Sequence, residues 1–289
     1  MRRFVPGRRA LLLLPVAFVV VFLIAPLALT VAVSLWQRAG FWVKPALSLA
    51  AYEQFVSGAR LAVLGRSLQA AAVATAIGLS IAYPIAYALA RHLSAAATRT
   101  VLLLFTIPFL VNYIIRTFAW TWLLGRTGPV NSLVVGTGLA DQPLDWLLFS
   151  DFAVYVGLVT SYMPLMVFPL WISLSGIEQR LVEASWLLGA GPWRTFWRVT
   201  VPLSIPGVFA AVVFGFVGSF GESAVPIILG GVGYQLMGNA ITSALDVLNY
   251  PIAAAMSTAV VAVMLLFLAC WYLAFDLRTF LGKILRWRF

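Results

Sequence analysis

The amino-acid sequence predicts an all-α polytopic membrane protein with six transmembrane helices. Of the 289 residues, 63% are hydrophobic and only 10% are charged, whereas an ordinary soluble domain is roughly 45–50% apolar and about 25% charged. The mean hydropathy is +1.00. Six separate stretches are also long enough to cross a bilayer as a helix, which needs about 20 mostly apolar residues.

Polar connections separate the six apolar stretches. The stretches cover about residues 10–36, 68–90, 100–124, 152–174, 203–226 and 252–275. Four arginines precede the first stretch, as they would in a signal peptide. However, its apolar run is roughly twice as long as a signal h-region, and no clear Ala-x-Ala site ends it. We therefore expect an uncleaved first span.

Basic residues are divided unequally between the two sides of the predicted membrane. With the N-terminus placed in the cytoplasm, thirteen Lys and Arg residues lie inside and five lie outside. Because cytoplasmic connections carry an excess of Lys and Arg, both termini are predicted to be cytoplasmic. The same division accounts for the net charge of +10. Nucleic-acid binding is not predicted, because the basic residues form no single face interleaved with aromatic residues.

The connection formed by residues 175–202 is the long one on the predicted cytoplasmic side. Small and apolar residues recur in it at the spacing of one helix face, which predicts a short amphipathic helix. They are Leu181, Ala184, Ser185 and Leu188. Gly189 and the pair Gly191-Pro192 end this helix. The pattern alone is equally consistent with a helix that rests on the membrane surface and with one that docks a cytoplasmic partner.

This connection resembles the EAA loop of ABC importer permeases, the inner-membrane components of binding-protein-dependent transport systems. That loop reads E-A-A, three residues, G, nine residues and I-x-L-P. The residues at matching positions are Glu183, Ala184, Ser185, Gly189, Val199, Val201 and Pro202. The resemblance implies the type I permease fold of ABC importers. It also implies that Glu183, Ala184, Ser185, Leu188, Gly189 and Pro202 belong to a coupling element that inserts into a cleft of the ATPase subunit.

Other segments resemble the spermidine/putrescine subfamily of these permeases. They are Ile107-Pro108-Phe109 with Asn112 and Arg116, Gly221-Glu222 through Pro226 to Gly230-Gly231, and Tyr250-Pro251. Ser48-Leu49 with Tyr52 and Phe55 resembles the external segment after the first span of ABC importer permeases. The subfamily resemblance implies polyamine import across a bacterial inner membrane, with a cytoplasmic ATPase dimer, an external solute-binding protein and a second, different permease chain as partners. Permeases for phosphonates, opines and metal cations share much of the pattern and stay open as alternatives.

The chain itself is not predicted to be an enzyme. It has no G-x-x-x-x-G-K-[ST] phosphate-binding loop, and its single histidine, His92, and single cysteine, Cys270, cannot form a nucleophile–base pair or a zinc site. We expect His92 to be a solvated loop residue and Cys270 to pack in the sixth span. No cofactor is therefore expected in this chain. The resemblance places ATP and Mg²⁺ in the partner ATPase.

Two ionisable residues stand out within the predicted spans, Arg116 in the third and Glu222 near the outer end of the fifth. Charges inside a membrane are costly, so each is a candidate for function. Three arrangements are consistent with the sequence. The two residues form an ion pair, or Glu222 faces the translocation path and attracts a cationic substrate, or the side chains face lipid and extend their charged groups to the membrane surface. The sequence leaves these three arrangements open.

Small and aromatic residues surround the two charges. Gly215, Gly218 and Gly221 form a stripe that allows another helix to approach closely or leaves the backbone open to a cavity. Tyr113, Trp120 and Trp122 anchor the third span at the interface, or hold an amine by cation–π contact. The candidates for the substrate pathway are Asn112, Tyr113, Arg116, Gly218, Gly221 and Glu222.

Two other classes of membrane protein are disfavoured. An ion-coupled secondary transporter usually carries polar groups at the membrane midplane and internal inverted repeats, and neither is evident here. The EAA spacing argues against that class and against a membrane scaffold without transport.

Overall fold

The computed structural model describes residues 15–40 and 42–275. Residues 10–14 of the predicted first span, and the basic tails used in the orientation argument, lie outside these ranges. The chain folds as two compact units. Among the described residues, the first comprises 15–40 and 42–62 with 240–263, and the second comprises 63–239 with 264–275.

Helices dominate the described chain. In order they are α1 (Pro15–Ser34, π-helical at Val20–Ile24), α2 (Ala50–Val56), α3 (Arg60–Arg91), α4 (Ala95–Leu110), α5 (Tyr113–Leu124), α6 (Pro129–Gly136), α7 (Asp151–Ser175), α8 (Gln179–Leu187), α9 (Pro192–Thr195), α10 (Val201–Phe220), α11 (Ala224–Leu229), α12 (Met237–Asp246) and α13 (Tyr250–Phe275). Short helical turns of other types cover Asp145–Leu147, which is 3-10, and Phe196–Thr200, which is π. Strands β1 (Gln37–Ala39) and β2 (Trp42–Lys44) form an antiparallel ribbon, which the all-α prediction did not include.

Five helical segments of the described chain are long and apolar enough to cross a membrane. They are α1, α3, α7, residues Pro192–Phe220 and most of α13. A sixth results if the bent pair Ala95–Pro108 and Tyr113–Gly136 is counted as one span. This number agrees with the six predicted transmembrane helices.

The third span is broken, whereas the sequence predicts one continuous helix over about residues 100–124. Helix α4 ends at Leu110, Val111 is extended, and the two halves of the span differ in direction by 91°. The Asn112 side chain caps α5, because its Oδ1 accepts the Ile114 N–H at 2.9 Å. Proline near the end of α4 and this cap together favour a new helix over continuation of the old one.

The fifth span also ends earlier than predicted. Helix α10 stops at Phe220, and the separate helix α11 begins at Ala224, so Glu222 lies in the break and not inside a helix. A side chain at Gly238 would collide with the Glu222 carbonyl. The residues after the break therefore pack directly on its backbone.

In the second unit, α7 and α10 pack against each other through small residues. A Cβ atom at Gly207 would lie 2.5 Å from the Cβ of Ser173, and one at Gly215 would lie 3.0 Å from the Sδ of Met166. A Cβ at Gly218 would overlap the Tyr162 ring. The glycine stripe thus permits close approach of a neighbouring helix at Gly215 and Gly218, which is one of the two roles predicted for it.

The first unit contains α1, the β-ribbon and α2. The Ser34 and Tyr52 hydroxyls, on α1 and α2, lie 2.8 Å apart. Arg38 of β1 donates a hydrogen bond to the Val247 carbonyl at 3.0 Å. Helix α1 buries none of the residues in its most apolar window, so lipid or another chain is needed to cover it.

Candidate functional site

Glu222 is held in the break between α10 and α11. Its Oε1 accepts hydrogen bonds from the backbone N–H groups of Ser223 and Ala224, each at 2.8 Å, and a longer one from Val225 at 3.4 Å. The carboxylate thus satisfies N–H groups at the start of a helix, which have no partner within the helix itself. Glu222 is only 6% exposed.

The second carboxylate oxygen of Glu222 is bound by a tyrosine. The Tyr162 hydroxyl of α7 donates to Glu222 Oε2 at 2.6 Å. Each carboxylate oxygen has two acceptor positions, and the Tyr162 hydroxyl fills one of the two on Oε2. The Tyr113 hydroxyl also interacts with this carboxylate. The Tyr162 ring lies directly against Gly218, where any side chain would displace it.

Glu222 lines a cavity of about 630 Å³ in the second unit. Four predicted pathway residues line it together with three residues of α7 and two at the end of α4. They are Asn112, Tyr113, Arg116 and Glu222, with Ser161, Tyr162, Leu165, Leu110 and Val111. The other two pathway candidates are placed differently. Gly218 supports Tyr162, and the nearest side-chain atom to a Cβ at Gly221 would be Met264 Cε at 3.6 Å.

Arg116 and Glu222 do not form the ion pair that was one of the three predicted arrangements. The salt bridges within residues 15–40 and 42–275 are Arg66–Asp151 and Arg126–Asp145. Arg116 instead donates to the Pro108 carbonyl at 2.9 Å, and its guanidinium lies 5.5 Å from the centre of the Tyr113 ring. Both charged groups therefore face one cavity without neutralising each other.

The Tyr113 hydroxyl is buried and makes no hydrogen bond of normal geometry within the described chain, although it lies close enough to Glu222 to interact with the carboxylate. An unpaired buried hydroxyl costs about 1–3 kcal/mol, so it is a position at which a ligand or a water would be stabilised. Trp120, also considered in the sequence, packs against a core cluster, and Trp122 is exposed.

A polar cluster fixes the loop between α11 and α12. Asp151 Oδ1 accepts from Arg66 at 3.0 Å and from the Tyr234 hydroxyl at 2.7 Å. The Arg66 guanidinium also lies 4.1 Å from the centre of the Tyr234 ring. Burial and the hydrogen bond to Asp151 raise the pKa of the Tyr234 phenol above its ordinary value.

The predicted coupling loop, residues 175–202, contains a helix with a well-formed end. Helix α8 covers Gln179–Leu187, and Gly189 follows it with φ of +78°. The Gly189 N–H donates to the Trp186 carbonyl at 2.9 Å, and the Ala190 N–H donates to the Ser185 carbonyl at 3.0 Å. These two bonds form a Schellman motif, which needs a left-handed residue at the position of Gly189.

Ser185 joins α8 to α9. Its hydroxyl donates to the Val182 carbonyl at 2.7 Å and lies 2.8 Å from the Thr195 hydroxyl. Because the only hydrogen of the Ser185 hydroxyl is already used, Thr195 is the donor to Ser185. Thr195 is buried. The serine that departs from the E-A-A pattern therefore makes a contact that alanine could not make.

The same loop presents an apolar surface to solvent. Leu187 and Leu188 are 90% and 88% exposed, and Trp193 is 74% exposed. Glu183 and Ala184 are exposed on the same short helix. Large apolar side chains clustered in this way indicate a surface that another protein or lipid covers.

The family of the chain is decided by residues 74–280. They match the family described as "Binding-protein-dependent transport system inner membrane component". The chain belongs to this family. It is the permease subunit of an ATP-driven ABC importer and a multi-pass inner-membrane protein. The predictions of an ABC importer permease and of a non-enzymatic transport subunit are confirmed.

Similar proteins include permeases of several transport systems. The chain is 30% identical over 261 residues to the spermidine/putrescine transport system permease protein PotB of Haemophilus influenzae, covering 89% of this permease and 90% of PotB. It is 31% identical over 260 residues to PotB of Escherichia coli strain K12, covering 89% and 94%. It is 30% identical over 256 residues to the inner membrane ABC transporter permease protein YdcU of that strain, covering 81% and 80%.

A solved structure shares the fold of this permease. A chain of the bacterial alginate ABC transporter, solved in complex with an alginate pentasaccharide-bound periplasmic protein, superposes with a TM-score of 0.71. The two chains are 14% identical, and the superposition covers 91% of each. This likeness confirms the predicted permease fold.

Sequence reasoning missed three residues that shape these sites. Tyr162 and Ser161 lie in the middle of α7 and line the cavity. Two adjacent hydroxyl residues within an apolar span were the available signal. Thr195 was also missed, and no sequence pattern links it to Ser185.

Proposed function

We propose that this permease imports a cationic amine of the polyamine class and that the Glu222 carboxylate receives an ammonium group of the substrate. One observation carries the proposal. Glu222 lines a cavity of about 630 Å³, and the hydrogen bond from Tyr162 uses only one of the two acceptor positions on its Oε2.

The chemistry of the cavity suits an ammonium group. A hydrogen bond between ammonium and carboxylate is about twice as strong as a neutral one. Tyr113 and Tyr162 line the same cavity and can add cation–π contact, worth about 0.5–2 kcal/mol each. The PotB relatives are named as spermidine/putrescine permeases, and spermidine and putrescine are both polyamines.

Uptake into vesicles that hold the complete transporter tests this proposal. Glu222→Gln removes the charge and is expected to lower spermidine uptake about tenfold or more, since a hydrogen bond to a charged group contributes about 1.5–3 kcal/mol. Glu53→Gln makes the same change at a carboxylate that does not line the cavity and is expected to leave uptake unchanged. If both variants transport spermidine at the wild-type rate in an intact complex, Glu222 is not a substrate contact.

A second candidate substrate carries both an amine and an anionic group, as opines and aminophosphonates do. Such a substrate is favoured by one observation: Arg116 lines the same cavity as Glu222, so a cationic and an anionic side chain are both present there. Arg116→Gln separates the two candidates. For a polyamine, removal of a like charge leaves uptake unchanged or raises it, whereas for a zwitterion both Arg116→Gln and Glu222→Gln lower it. Calorimetry of the solute-binding protein with polyamines, phosphonates and opines then identifies the class of ligand.

The proposal also assigns partners to the remaining surfaces. The exposed side of α8 and α9 docks the cytoplasmic ATPase, which holds ATP and Mg²⁺. A second, different permease chain completes the translocation pathway. Three apolar side chains on the docking surface support this assignment, because burying each is worth about 1.5–3 kcal/mol. They are Leu187, Leu188 and Trp193.

Docking is tested by charge reversal on α8. Glu183→Lys is expected to prevent co-purification of the ATPase while the permease still inserts into the membrane. Glu53→Lys is the matched control, because it reverses an exposed charge on α2. Normal ATPase assembly and transport by Glu183→Lys would refute the docking surface.

The proposed orientation places both termini and α8 in the cytoplasm. In a Cys270→Ser background, an impermeant maleimide applied to intact spheroplasts is expected to label Trp42→Cys but not Leu187→Cys. Both positions are strongly exposed. The opposite labelling pattern would invert the topology.

A further inference from the structure

The Phe196 ring lies at the centre of an aromatic cluster at the end of the coupling loop. Its centroid is 5.9 Å from that of Tyr83 and 5.6 Å from that of Tyr87, and both contacts are edge-to-face. Trp193 and Trp197 complete the cluster at 6.1 Å and 5.3 Å. Aromatic pairs in this arrangement are stabilising beyond the burial of their surface, so the Phe196 ring is held against the two tyrosines.

The two tyrosines belong to α3, and their spacing explains the contact. Tyr83 and Tyr87 are four residues apart, so they lie on one face of the helix, one turn apart. The Tyr83 hydroxyl is also 2.9 Å from the hydroxyl of Ser204 on α10. Phe196 therefore contacts α3 at a place where α3 is already joined to α10.

On its other side, Phe196 is connected to the proposed docking helix. It directly follows Thr195, whose hydroxyl donates to Ser185 of α8. It is also the first residue of the π-helix Phe196–Thr200, which leads into α10. π-helical turns are rare and frequently occur at functional sites.

The first end of the coupling loop is attached to α3 as well. Arg91, the last residue of α3, donates to the Ile177 carbonyl at 3.0 Å and to the Gln179 side chain at 3.2 Å. Both ends of the loop therefore contact the same half of α3. Arg91 holds the loop where α8 begins, and Phe196 holds it after α9.

We propose that Phe196 is a positioning residue through which movement of the docked α8–α9 element reaches α3. This inference rests on the proposed docking of the ATPase. The aromatic contacts make α3 follow the coupling loop instead of sliding past it. Sliding would separate the Phe196 ring from the edge-to-face contacts that it makes with Tyr83 and Tyr87, and such contacts have a preferred geometry.

Helix α3 extends from this contact to the loop that packs near Glu222. Arg66 and Tyr83 are separated along α3 by about 25 Å, from a rise of 1.5 Å per residue. At that far end, Arg66 binds Asp151 and stacks on Tyr234. A shift of α3 at Tyr83 therefore reaches the segment that contains Tyr234 and ends at Gly238, which packs on the Glu222 backbone.

A single-cysteine reporter tests the inference in the purified complete transporter. The reporter is Gly65→Cys on α3, an exposed position with open space for a side chain, in a Cys270→Ser background. We expect its maleimide labelling rate to differ between the nucleotide-free complex and the complex trapped with ATP and vanadate. Phe196→Leu, which keeps an apolar side chain but removes the ring, is expected to abolish this difference.

Two further variants make the test specific. Tyr87→Leu removes the ring on the α3 side and is expected to give the same loss as Phe196→Leu. Phe214→Leu makes an identical change at an exposed position of α10 and is expected to retain the difference. In all variants the ATPase is expected to co-purify and to hydrolyse ATP, so the ratio of transport to hydrolysis falls only for Phe196→Leu and Tyr87→Leu.

The outcomes distinguish failure of this inference from failure of the proposed docking. Should the ATPase bind while the labelling difference persists in Phe196→Leu and Tyr87→Leu, the role of Phe196 is refuted and docking stands. The role of Phe196 is also refuted if Phe214→Leu abolishes the labelling difference to the same extent. It is refuted as well if the Gly65→Cys transporter, with no other change at Phe196 or Tyr87, is labelled at the same rate in both nucleotide states. If Glu183→Lys leaves ATPase binding intact, the docking surface itself is wrong.

Discussion

Gly218 is the position at which a single added methyl group tests the packing behind Glu222. In Gly218→Ala, the new Cβ would overlap two atoms of the Tyr162 ring and lie 3.0 Å from a third, Cζ. The Tyr162 ring cannot move freely, because its hydroxyl donates a hydrogen bond to Glu222 Oε2 at 2.6 Å. The substitution therefore forces either α7 away from α10 or Tyr162 away from Glu222.

The size of the effect follows from opposing contributions. Replacing glycine by alanine inside a helix stabilises by about 0.5–1 kcal/mol. Overpacking a close helix contact costs about 1–3 kcal/mol, and loss of the hydrogen bond to the carboxylate costs about 1.5–3 kcal/mol more if the ring moves. From the middle of each range, we expect Gly218→Ala to lower the free energy of unfolding by about 1 kcal/mol if only the helices separate, and by about 3.5 kcal/mol if the hydrogen bond is also lost. The midpoint of thermal unfolding should fall accordingly.

Thermal unfolding of the purified transporter and spermidine uptake measure the two consequences. Gly65→Ala is the matched control, because a Cβ there meets no atom within 4 Å, and we expect it to be at least as stable as the wild type. Tyr162→Leu should relieve the overlap, so the double variant with Gly218→Ala should lose less stability than the sum of the two single losses. A Gly218→Ala transporter with wild-type stability and uptake would refute the reasoning.

Three further predictions concern the coupling loop and a buried amide. Ser185→Ala leaves the buried Thr195 hydroxyl without its acceptor, and we expect the Kd for the ATPase to rise about two- to tenfold; an unchanged Kd in a binding titration would contradict this. Gly189→Ala places a side chain at φ of +78°, which costs about 1–2 kcal/mol, so amide exchange of α8 should accelerate, whereas Gly191→Ala at φ of −72° should not change it. The Asn131 side chain is almost fully buried, and its amide NH₂ donates to the Gly125 carbonyl at 3.0 Å. Asn131→Asp removes this donor. We expect it to lower unfolding free energy by about 1–3 kcal/mol, and an unchanged melting midpoint would show that this amide does not hold its loop.

Features set by local chemistry were predictable from the sequence. The short helix before Gly189 was predictable because its small and apolar residues recur at the spacing of one helix face. Its end was predictable because glycine readily adopts the left-handed conformation found after many helices. The long apolar helices follow from the bilayer dimension. These predictions succeed because the determining residues are neighbours in the sequence.

The cavity could be predicted only in part, because its walls come from separate helices. Glu222 and Arg116 were conspicuous as charges in apolar stretches. Their partners were not, since Tyr162 is bonded to Glu222 across 60 positions of sequence. The contact depends on how α7 and α10 pack, and no local pattern encodes that register. The same reason explains why Thr195 and Arg91 were not anticipated.

The two helix breaks explain why Arg116 and Glu222 do not bind each other. A broken helix leaves N–H groups without partners at its start and C=O groups without partners at its end, and the bilayer core offers no water to satisfy them. Glu222 binds N–H groups at the start of α11, and Arg116 binds the Pro108 carbonyl at the end of α4. Each charge also has the sign that the helix dipole favours at that end. Backbone groups therefore provide hydrogen-bond partners for Glu222 Oε1 and for the Arg116 guanidinium. Glu222 still lines the cavity, whereas a direct ion pair with Arg116 would have occupied the carboxylate.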